Sequence, residues 1–187
     1  MSKKKIITII LAVVLIAIAG VSVYIIMTGG KDNKSNSEVT TTTTTAASQK
    51  NLSSVITSTA GLSKFNQLLV AAGLEDSLKG TTLKYIVMAP RNGAFNALPV
   101  GYYDSLLTAD KVTAAQNIAQ YHIATVTTEQ LTNGQKLRTL TGQEVIVGIA
   151  GSKYTFTSAK GDKATATSTQ KTSNGTLYII DTVLLPQ

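Results

Sequence analysis

A strand-like segment lies near the C-terminus, where residues 174–186 read NGTLYIIDTVLLP. Asn174 and Gly175 form a dipeptide that is typical of turns. From Thr176 to Leu185 the sequence is apolar on both alternating faces. Because a strand in the middle of a covered sheet is buried on both faces, this pattern predicts a central strand.

Asp181 interrupts this apolar segment. In a strand, its side chain lies on the same face as Leu177 and Val183. A buried carboxylate needs hydrogen-bond donors or must stay protonated. We therefore expect Asp181 to accept hydrogen bonds from backbone amides of a neighbouring loop, at Pro90.

The rest of the chain after residue 50 divides into helical and strand-like parts. Apolar residues recur at helical spacing near the start of this part, whereas later segments are β-branched and aromatic runs or alternating patterns, with Gly-containing turns between them. The predicted helices lie near residues 52–56, 62–72 and 110–122, and the predicted strands near residues 83–89, 145–149, 154–156 and 176–185. Helices that precede mostly antiparallel strands predict one α+β domain over residues 51–187.

Three segments of this domain resemble the fasciclin domain family, the adhesion module of secreted and membrane-anchored proteins. The first segment reads YIVMAPRNGAF at residues 85–95, the second is Tyr121-His122, and the third is residues 174–186. The resemblance implies a wedge-shaped fasciclin-like β-sheet assembly with several short helices packed on it. It also implies no catalytic activity and no cofactor.

The resemblance further implies roles for individual residues. Residues that build the fold are Pro90, Phe95, Asn174, Gly175 and Asp181. Arg91 stands where the family usually has Thr or Ser, which predicts a weaker cap for the helix that follows. We treat Arg91 as a candidate contact for a partner.

Tyr121 and His122 have two interpretations. The resemblance implies that they belong to a segment that contacts a receptor. The helical spacing places His122 on one face with Ala115 and Ala119, which predicts a buried, hydrogen-bonded core histidine. Tyr121 is correspondingly expected to pack in the core with its hydroxyl bonded.

Lys160-Gly161-Asp162 is similar to a minimal integrin-recognition tripeptide. A solvated β-turn explains the same three residues. If the first interpretation holds, Lys160 and Asp162 contact a partner, and we treat both as candidate partner contacts.

The composition restricts the chemistry of the chain. It has no Cys and one His, which excludes disulfides, thiolate metal sites and multi-histidine metal clusters. No Gly-x-Ser-x-Gly motif and no glycine-rich phosphate loop occur. We predict no enzyme, no metal and no cofactor.

The net charge of +7 is concentrated at the N-terminus, because residues 1–50 hold six Lys and two acids whereas residues 51–187 hold eleven Lys or Arg and eight acids. We therefore predict no nucleic-acid partner for the folded part.

An uncharged, apolar run of 22 residues extends from Ile6 to Met27, directly after Lys3, Lys4 and Lys5. A helix of this length reaches roughly 33 Å, enough to cross the hydrocarbon core of a bilayer. The lysines favour a cytoplasmic N-terminus and an extracellular C-terminal domain. Cleavage after the signal-like Ala17-Ile18-Ala19, followed by secretion, is the alternative.

Residues 29–50 contain six consecutive threonines and almost no apolar side chains, which predicts a flexible linker. The predicted order is thus a Lys stub with a transmembrane signal-anchor at 1–28, a linker at 29–50 and a fasciclin-like extracellular domain at 51–187. The leading hypothesis is a membrane-tethered domain for cell adhesion or cell-surface interaction, with a protein or glycan partner. The alternative is a non-enzymatic module that binds an apolar ligand or an envelope lipid.

Overall fold

The computed structural model describes residues 50–187 and, upstream, two short strands. These are β1 (Ile16–Ile18) and β2 (Val21–Val23), which pair antiparallel with Ala17 opposite Ser22. Residues 50–187 belong to a separate compact unit.

The two upstream strands differ from the predicted membrane-spanning helix. Ile and Val are branched at Cβ and fit extended backbone well, so their abundance does not by itself select a helix. Among the described residues, no helix has both the length and the apolar character to cross a membrane. The remainder of the segment between Ile6 and Met27, and nearly all of the predicted linker, lie outside the described residues.

The compact unit contains seven strands in one sheet, of spatial order β4-β3-β9-β8-β7-β6-β5. The strands are β3 (Lys84–Pro90), β4 (Ile123–Val126), β5 (Lys136–Arg138), β6 (Glu144–Ala150), β7 (Lys153–Thr157), β8 (Lys163–Thr172) and β9 (Gly175–Ile180). Neighbouring strands are antiparallel except β3 and β9, which are parallel.

The sheet curls until its two edge strands meet. Ala124 of β4 forms an isolated bridge with Thr139, and the amide of Leu140 donates to the carbonyl of Ile123 at 2.8 Å. Beyond this point the edge strands separate. The sheet is therefore a nearly closed barrel rather than a flat layer.

Short helices cover one face of this sheet. They are α1 (Leu52–Ser58), α2 (Ser63–Ala71), α3 (Tyr102–Leu106) and α4 (Val112–Tyr121), joined by 3-10 turns. The α+β class predicted from the sequence is confirmed. The five-residue α3, which follows Gly101 at φ +78°, was not predicted because it is too short to show a periodic pattern.

The interior has two apolar clusters, one on each face of the central strands. Val87 and Leu177 pack under the helices, whereas Met88 and Ile180 point into the curl of the sheet. The central position and two-sided burial predicted for the last strand are thereby confirmed. It ends at Ile180 instead of continuing to Leu185, because the chain then leaves the sheet and runs toward α4.

The start of α2 depends on a side chain from elsewhere in the chain. Ser63 is the first helical residue, and the preceding Leu62 has no side chain that could cap the helix. The cap is supplied by Asn92, whose Oδ1 accepts from the amide of Lys64 at 2.9 Å. Asn92 Nδ2 also donates to the carbonyl of Ala60 and to Ser63 Oγ. The turn after β3 thus holds the start of α2 and the 3-10 turn at Ala60 in place.

The sheet has two ends that differ in their exposed groups. We call the end at which β3 and β9 finish the Arg91 end, and the end at which they begin the Lys84 end. Because β3 and β9 run in parallel, the segments that follow them lie together at the Arg91 end.

Candidate functional site

The five predicted partner-contact residues all lie at the Arg91 end, but at different depths. Arg91, Lys160 and Asp162 are exposed, whereas Tyr121 and His122 are completely buried. The exposed side chains reach solvent, whereas Tyr121 and His122 can only support this surface from the interior.

His122 connects three parts of the fold. It follows α4 directly, and its Nδ1 lies 2.8 Å from the carbonyl of Ile118, so Nδ1 carries the proton that is donated. Its Nε2 accepts from the amide of Leu184 at 3.1 Å. The ring also packs edge-on against Phe65, with 5.8 Å between ring centroids. His122 thus ties α4 to the C-terminal tail and to α2.

These contacts require a neutral imidazole. Burial lowers the pKa of His122 from its ordinary value of 6.5 to about 4, although its hydrogen bond to Ile118 opposes the change. A charged imidazole cannot accept from Leu184, since both of its nitrogens are donors. The geometry agrees with the core interpretation and leaves no side-chain surface for a direct partner contact.

Tyr121 supports the loop that carries Lys160. Its hydroxyl accepts from the amide of Ala159 at 3.1 Å and donates to the carbonyl of Glu144 at 3.4 Å. The ring is fully buried inside the curl of the sheet. Tyr121 therefore anchors the β7–β8 loop from its inner side.

The β7–β8 loop is a tight turn with internal hydrogen bonds. Ser158 and Asp162 bond each other through backbone and side chain, including Ser158 N to the Asp162 carbonyl at 2.8 Å and Asp162 N to Ser158 Oγ at 3.1 Å. Gly161 adopts φ +92°, a backbone conformation that residues other than Gly rarely adopt. Lys160 borders a shallow cavity of about 180 Å³ beside α4 and the C-terminal tail. The loop thus presents Lys160 and Asp162 in a fixed arrangement.

Asp181 binds a different partner from the one predicted. Its Oδ1 accepts from the amide of Thr165 in β8 at 2.7 Å and from Thr182 Oγ1 at 3.1 Å. The Pro90 loop is held by the backbone instead, because the amide of Arg91 donates to the carbonyl of Ile180 at 3.0 Å. The prediction of a donor at the Pro90 loop was wrong because the carboxylate bonds β8, the neighbour of β9 on the side away from β3, and the sequence alone does not reveal this neighbour.

Pro90 and Phe95 have structural positions beside Arg91. Pro90 is buried and ends β3 opposite Ile180. Phe95 is buried in the following 3-10 turn and packs edge-on against Tyr103 at 5.0 Å. Arg91 occupies the cap position of that turn without a capping hydrogen bond from its side chain, as its replacement of Thr or Ser predicted.

Asn174 and Gly175 lie at the Lys84 end. Asn174 Nδ2 donates to the carbonyls of Leu78 and Gly80, both at 2.7 Å, and its Oδ1 accepts from the amide of Leu52 at 2.9 Å. A Cβ atom at Gly175 would overlap the backbone carbonyl of Tyr85. Together these residues fasten the β8–β9 turn to α1 and to the start of β3.

A cleft of about 530 Å³ opens at the Lys84 end, and none of its residues was predicted as a site. It forms because β8 extends past β7, which pairs with β8 only as far as Thr165. The segment after β4 borders the other side. Its lining is mainly polar and aromatic: Lys84, Thr127, Thr128, Glu129, Gln130, Leu131, Tyr154, Thr169, Lys171, Thr176 and Tyr178.

An ion pair fixes one wall of this cleft. Lys84 Nζ lies 3.3 Å from Glu129 Oε1 and donates to the carbonyl of Ser173 at 2.9 Å. Thr176 Oγ1 donates to Glu129 Oε2 at 3.1 Å. Both carboxylate oxygens of Glu129 are thus already bonded within the protein.

Two tyrosines form the adjoining wall. The rings of Tyr154 and Tyr178 lie 5.0 Å apart, and Tyr178 also packs against Phe156. Burial, Tyr154 and the Glu129 carboxylate together raise the pKa of Tyr178 to about 12. Its hydroxyl therefore stays protonated and is available as a donor over the physiological pH range.

The cleft sets limits on its ligand. Its lining does not match the crevice of Leu, Ile and Val that an apolar ligand or a lipid chain requires. Among the described residues, no three acidic, His or Cys side chains come together as metal ligands. Tyr154 and Tyr178 are in predicted strand regions, whereas Lys171 lies in β8, which the sequence analysis did not predict, and only the order of strands in space brings the three together.

Comparison with known proteins gives consistent results. A family model described as "Fasciclin domain" matches residues 60–186. Protein sll1483 of Synechocystis is 30% identical over 142 residues, which cover 71% of this chain and 73% of that protein. Human periostin is 28% identical over 138 residues, which cover 73% of this chain and only 16% of periostin. Immunogenic protein MPB70 of Mycobacterium bovis is 32% identical over 136 residues and 65% of its length.

A solved structure shares the fold. It contains a FAS1 domain pair from the insect cell adhesion molecule fasciclin I, with a TM-score of 0.65 and 17% identity over 73% of this chain and 51% of that one. These findings confirm the resemblance deduced from the three sequence segments. On the extent of the family match and the similarity to protein sll1483, the chain belongs to the fasciclin domain family.

Proposed function

We propose that this chain is an extracellular domain that mediates cell adhesion or cell-surface interaction by binding, without catalysis. The single observation that carries the proposal is the fasciclin domain match over residues 60–186. The structural neighbour described as an insect cell adhesion molecule supports the same role. The partner is an extracellular protein or glycan.

The proposed contact surface is the exposed part of the Arg91 end, formed by Arg91, Lys160 and Asp162. Two observations support it. The β7–β8 loop is held by its own hydrogen bonds and by Tyr121, so its backbone loses little conformational entropy when a partner binds. Arg91 is attached to β9 through its backbone, while its side chain makes no capping bond.

We also propose that the apolar segment between Ile6 and Met27 holds the domain at a membrane, with the N-terminus in the cytoplasm. The 22 uncharged residues and the preceding lysines support this proposal. The alternative is a protein secreted after cleavage near Ala17-Ile18-Ala19.

Attachment of cells to the purified chain tests the adhesion role. Beads coated with the full chain, orientated through a C-terminal tag, are expected to bind source cells saturably, whereas beads coated with an unrelated protein of equal charge do not. Equal retention of both bead types would contradict the proposal.

Membrane attachment is tested separately by fractionation. The full-length chain is expected to stay in the membrane pellet during carbonate extraction and to keep the mass of the uncleaved chain. Release into the supernatant at full length would contradict the anchor. Recovery from the medium of a chain that begins near residue 20 would favour secretion.

A further inference from the structure

The cleft at the Lys84 end contains donors that the protein itself does not use. Tyr178 is only 3% exposed, yet within residues 50–187 no hydrogen bond is formed by its hydroxyl, which faces the cleft. Tyr154 and Lys171 line the same space and likewise have no hydrogen-bond or ion-pair partner among the described residues. Among the described residues, every fully buried polar side-chain atom has a hydrogen-bond partner, so the free hydroxyl of Tyr178 is open to the cleft and can donate to a ligand there.

The charged side chains of the lining indicate the charge of the ligand. Lysine carries a positive charge and supplies hydrogen-bond donors only. The one carboxylate that lines the cleft, Glu129, is already bonded to Lys84 and Thr176. Because Lys84 and Glu129 neutralise each other, Lys171 leaves the lining with one uncompensated positive charge, which favours a negatively charged ligand with oxygen acceptors.

The shape and the aromatic ring indicate the rest of the ligand. A volume of about 530 Å³ is within the range of small-ligand sites, roughly 300–1,000 Å³. The half-buried ring of Tyr154 stands at its border and offers a flat surface beside polar groups. A sugar ring, with one apolar face and hydroxyls at its edge, fits such a surface.

We propose that this cleft is a binding site for an acidic saccharide, a chain of pyranose rings that carry carboxylates. Lys171 pairs with a carboxylate, the Tyr178 hydroxyl donates to a ring or hydroxyl oxygen, and the ring of Tyr154 packs against a sugar. The inference rests on the proposed function, because it names a glycan as a partner of an extracellular domain, and it adds a second surface to the Arg91 end.

The test uses the full chain in detergent micelles and two closely matched probes. Trigalacturonate carries three carboxylates, and its methyl ester keeps the same rings without the charges. Isothermal titration calorimetry at fixed salt measures both dissociation constants. We expect saturable binding of trigalacturonate and at least tenfold weaker binding of the ester, because a charge-assisted hydrogen bond is lost.

Three variants locate the site. Lys171→Ala and Tyr154→Ala are each expected to weaken trigalacturonate binding about tenfold, since they remove the cation and the ring. Lys153→Ala is the matched control, because this exposed lysine adjoins Tyr154 in β7 but does not line the cleft. It should change the dissociation constant less than twofold. All three side chains reach the surface, so the thermal melting temperature verifies that each variant is folded.

Three results would overturn the inference: no saturable binding, equal affinity for the ester, or an equal loss in Lys153→Ala and Lys171→Ala. The outcome is separable from that of the adhesion proposal. If the chain attaches to cells but does not bind trigalacturonate, only the cleft inference fails. If it binds trigalacturonate at the cleft but does not attach to cells, only the adhesion proposal fails.

Discussion

The two ends of the sheet use their family motif residues in different ways. At the Arg91 end, Tyr121 and His122 hold a loop and the C-terminal tail through side-chain hydrogen bonds. At the Lys84 end, Asn174 and Gly175 fasten the β8–β9 turn through contacts with the backbone of distant segments. The exposed side chains proposed to contact partners are others: Arg91, which departs from the family pattern within its motif, and Lys160, Asp162 and Lys171. The buried motif residues therefore maintain the fold, while exposed residues that are not part of the family pattern form the surfaces available to partners.

The backbone contact at the Lys84 end should be the more severe point of failure. We expect Gly175→Ala to abolish cooperative folding or to lower the free energy of unfolding by at least about 3 kcal/mol, because the new methyl group overlaps the Tyr85 carbonyl. Thermal unfolding followed by circular dichroism measures this loss. Gly61→Ala is the control, since no atom lies within 4 Å of its added Cβ. A Gly175→Ala chain as stable as this control would show that the close approach is absent.

Asn174→Ala tests the hydrogen bonds of the same turn. We expect a loss of about 3 kcal/mol, because the carbonyls of Leu78 and Gly80 and the amide of Leu52 lose their buried partner. Chemical unfolding of the full chain gives the value. Asn133→Ala removes one exposed hydrogen bond to Ile149 and should cost less than about 1 kcal/mol. Equal losses for the two variants would remove the distinction between a buried clamp and a surface contact.

Acidification should weaken the Arg91 end through His122. The unfolded chain takes up a proton near pH 6.5, whereas the folded chain does so only near its pKa of about 4. The free energy of unfolding is therefore largest above pH 6.5 and falls as the pH decreases, by about 1.4 kcal/mol per unit at the steepest. Denaturant titrations between pH 7 and pH 5 measure the slope. His122 is the only histidine, so its imidazole resonance gives an independent pKa by NMR. A resonance that titrates near 6.5 would contradict its burial.

Tyr121→Phe should lower the stability less than Gly175→Ala, Asn174→Ala or acidification does. It keeps the ring in the core and removes only the hydroxyl that bonds Ala159 and Glu144. We expect a loss of about 1 kcal/mol, with hydrogen exchange faster at the Ala159 amide. Tyr102→Phe, at an exposed position in α3, should change neither quantity. Unchanged exchange at Ala159 would show that Tyr121 does not anchor the loop.

The sequence predicts local elements better than the contacts between them. The helical spacing at residues 52–56 and 62–72 and the two-sided apolar pattern after Asn174 lead directly to α1, α2 and β9, because burial imposes these periods. The partner of Asp181 was not predictable, since it depends on β9 lying between β3 and β8. The burial of His122 followed from its helix face, but its bond to Leu184 did not.

The candidate sites also divide into those visible in a local stretch of sequence and those that depend on contacts between distant segments. Lys160 and Asp162 were found because three adjacent residues are visible as a motif. The cleft was not found, because Lys84, Glu129 and Tyr178 are far apart in the sequence and only the sheet order makes them neighbours. Strand alternation indicates which side chains share a face of one strand, but not which strands adjoin.

Attachment of cells by a variant of the exposed Arg91 end tests most directly the claim that exposed residues outside the family pattern contact the partner. The variant Arg91→Ala/Lys160→Ala/Asp162→Ala is compared on beads with Arg138→Ala/Lys153→Ala/Glu144→Ala, which removes the same charges from other exposed positions. We predict that the first variant keeps the melting temperature of the unaltered chain and loses at least 80% of attachment, which corresponds to a loss of about 1 kcal/mol in binding free energy. The second should attach as the unaltered chain does. Full attachment by the first variant, or equal loss in both, would contradict this account.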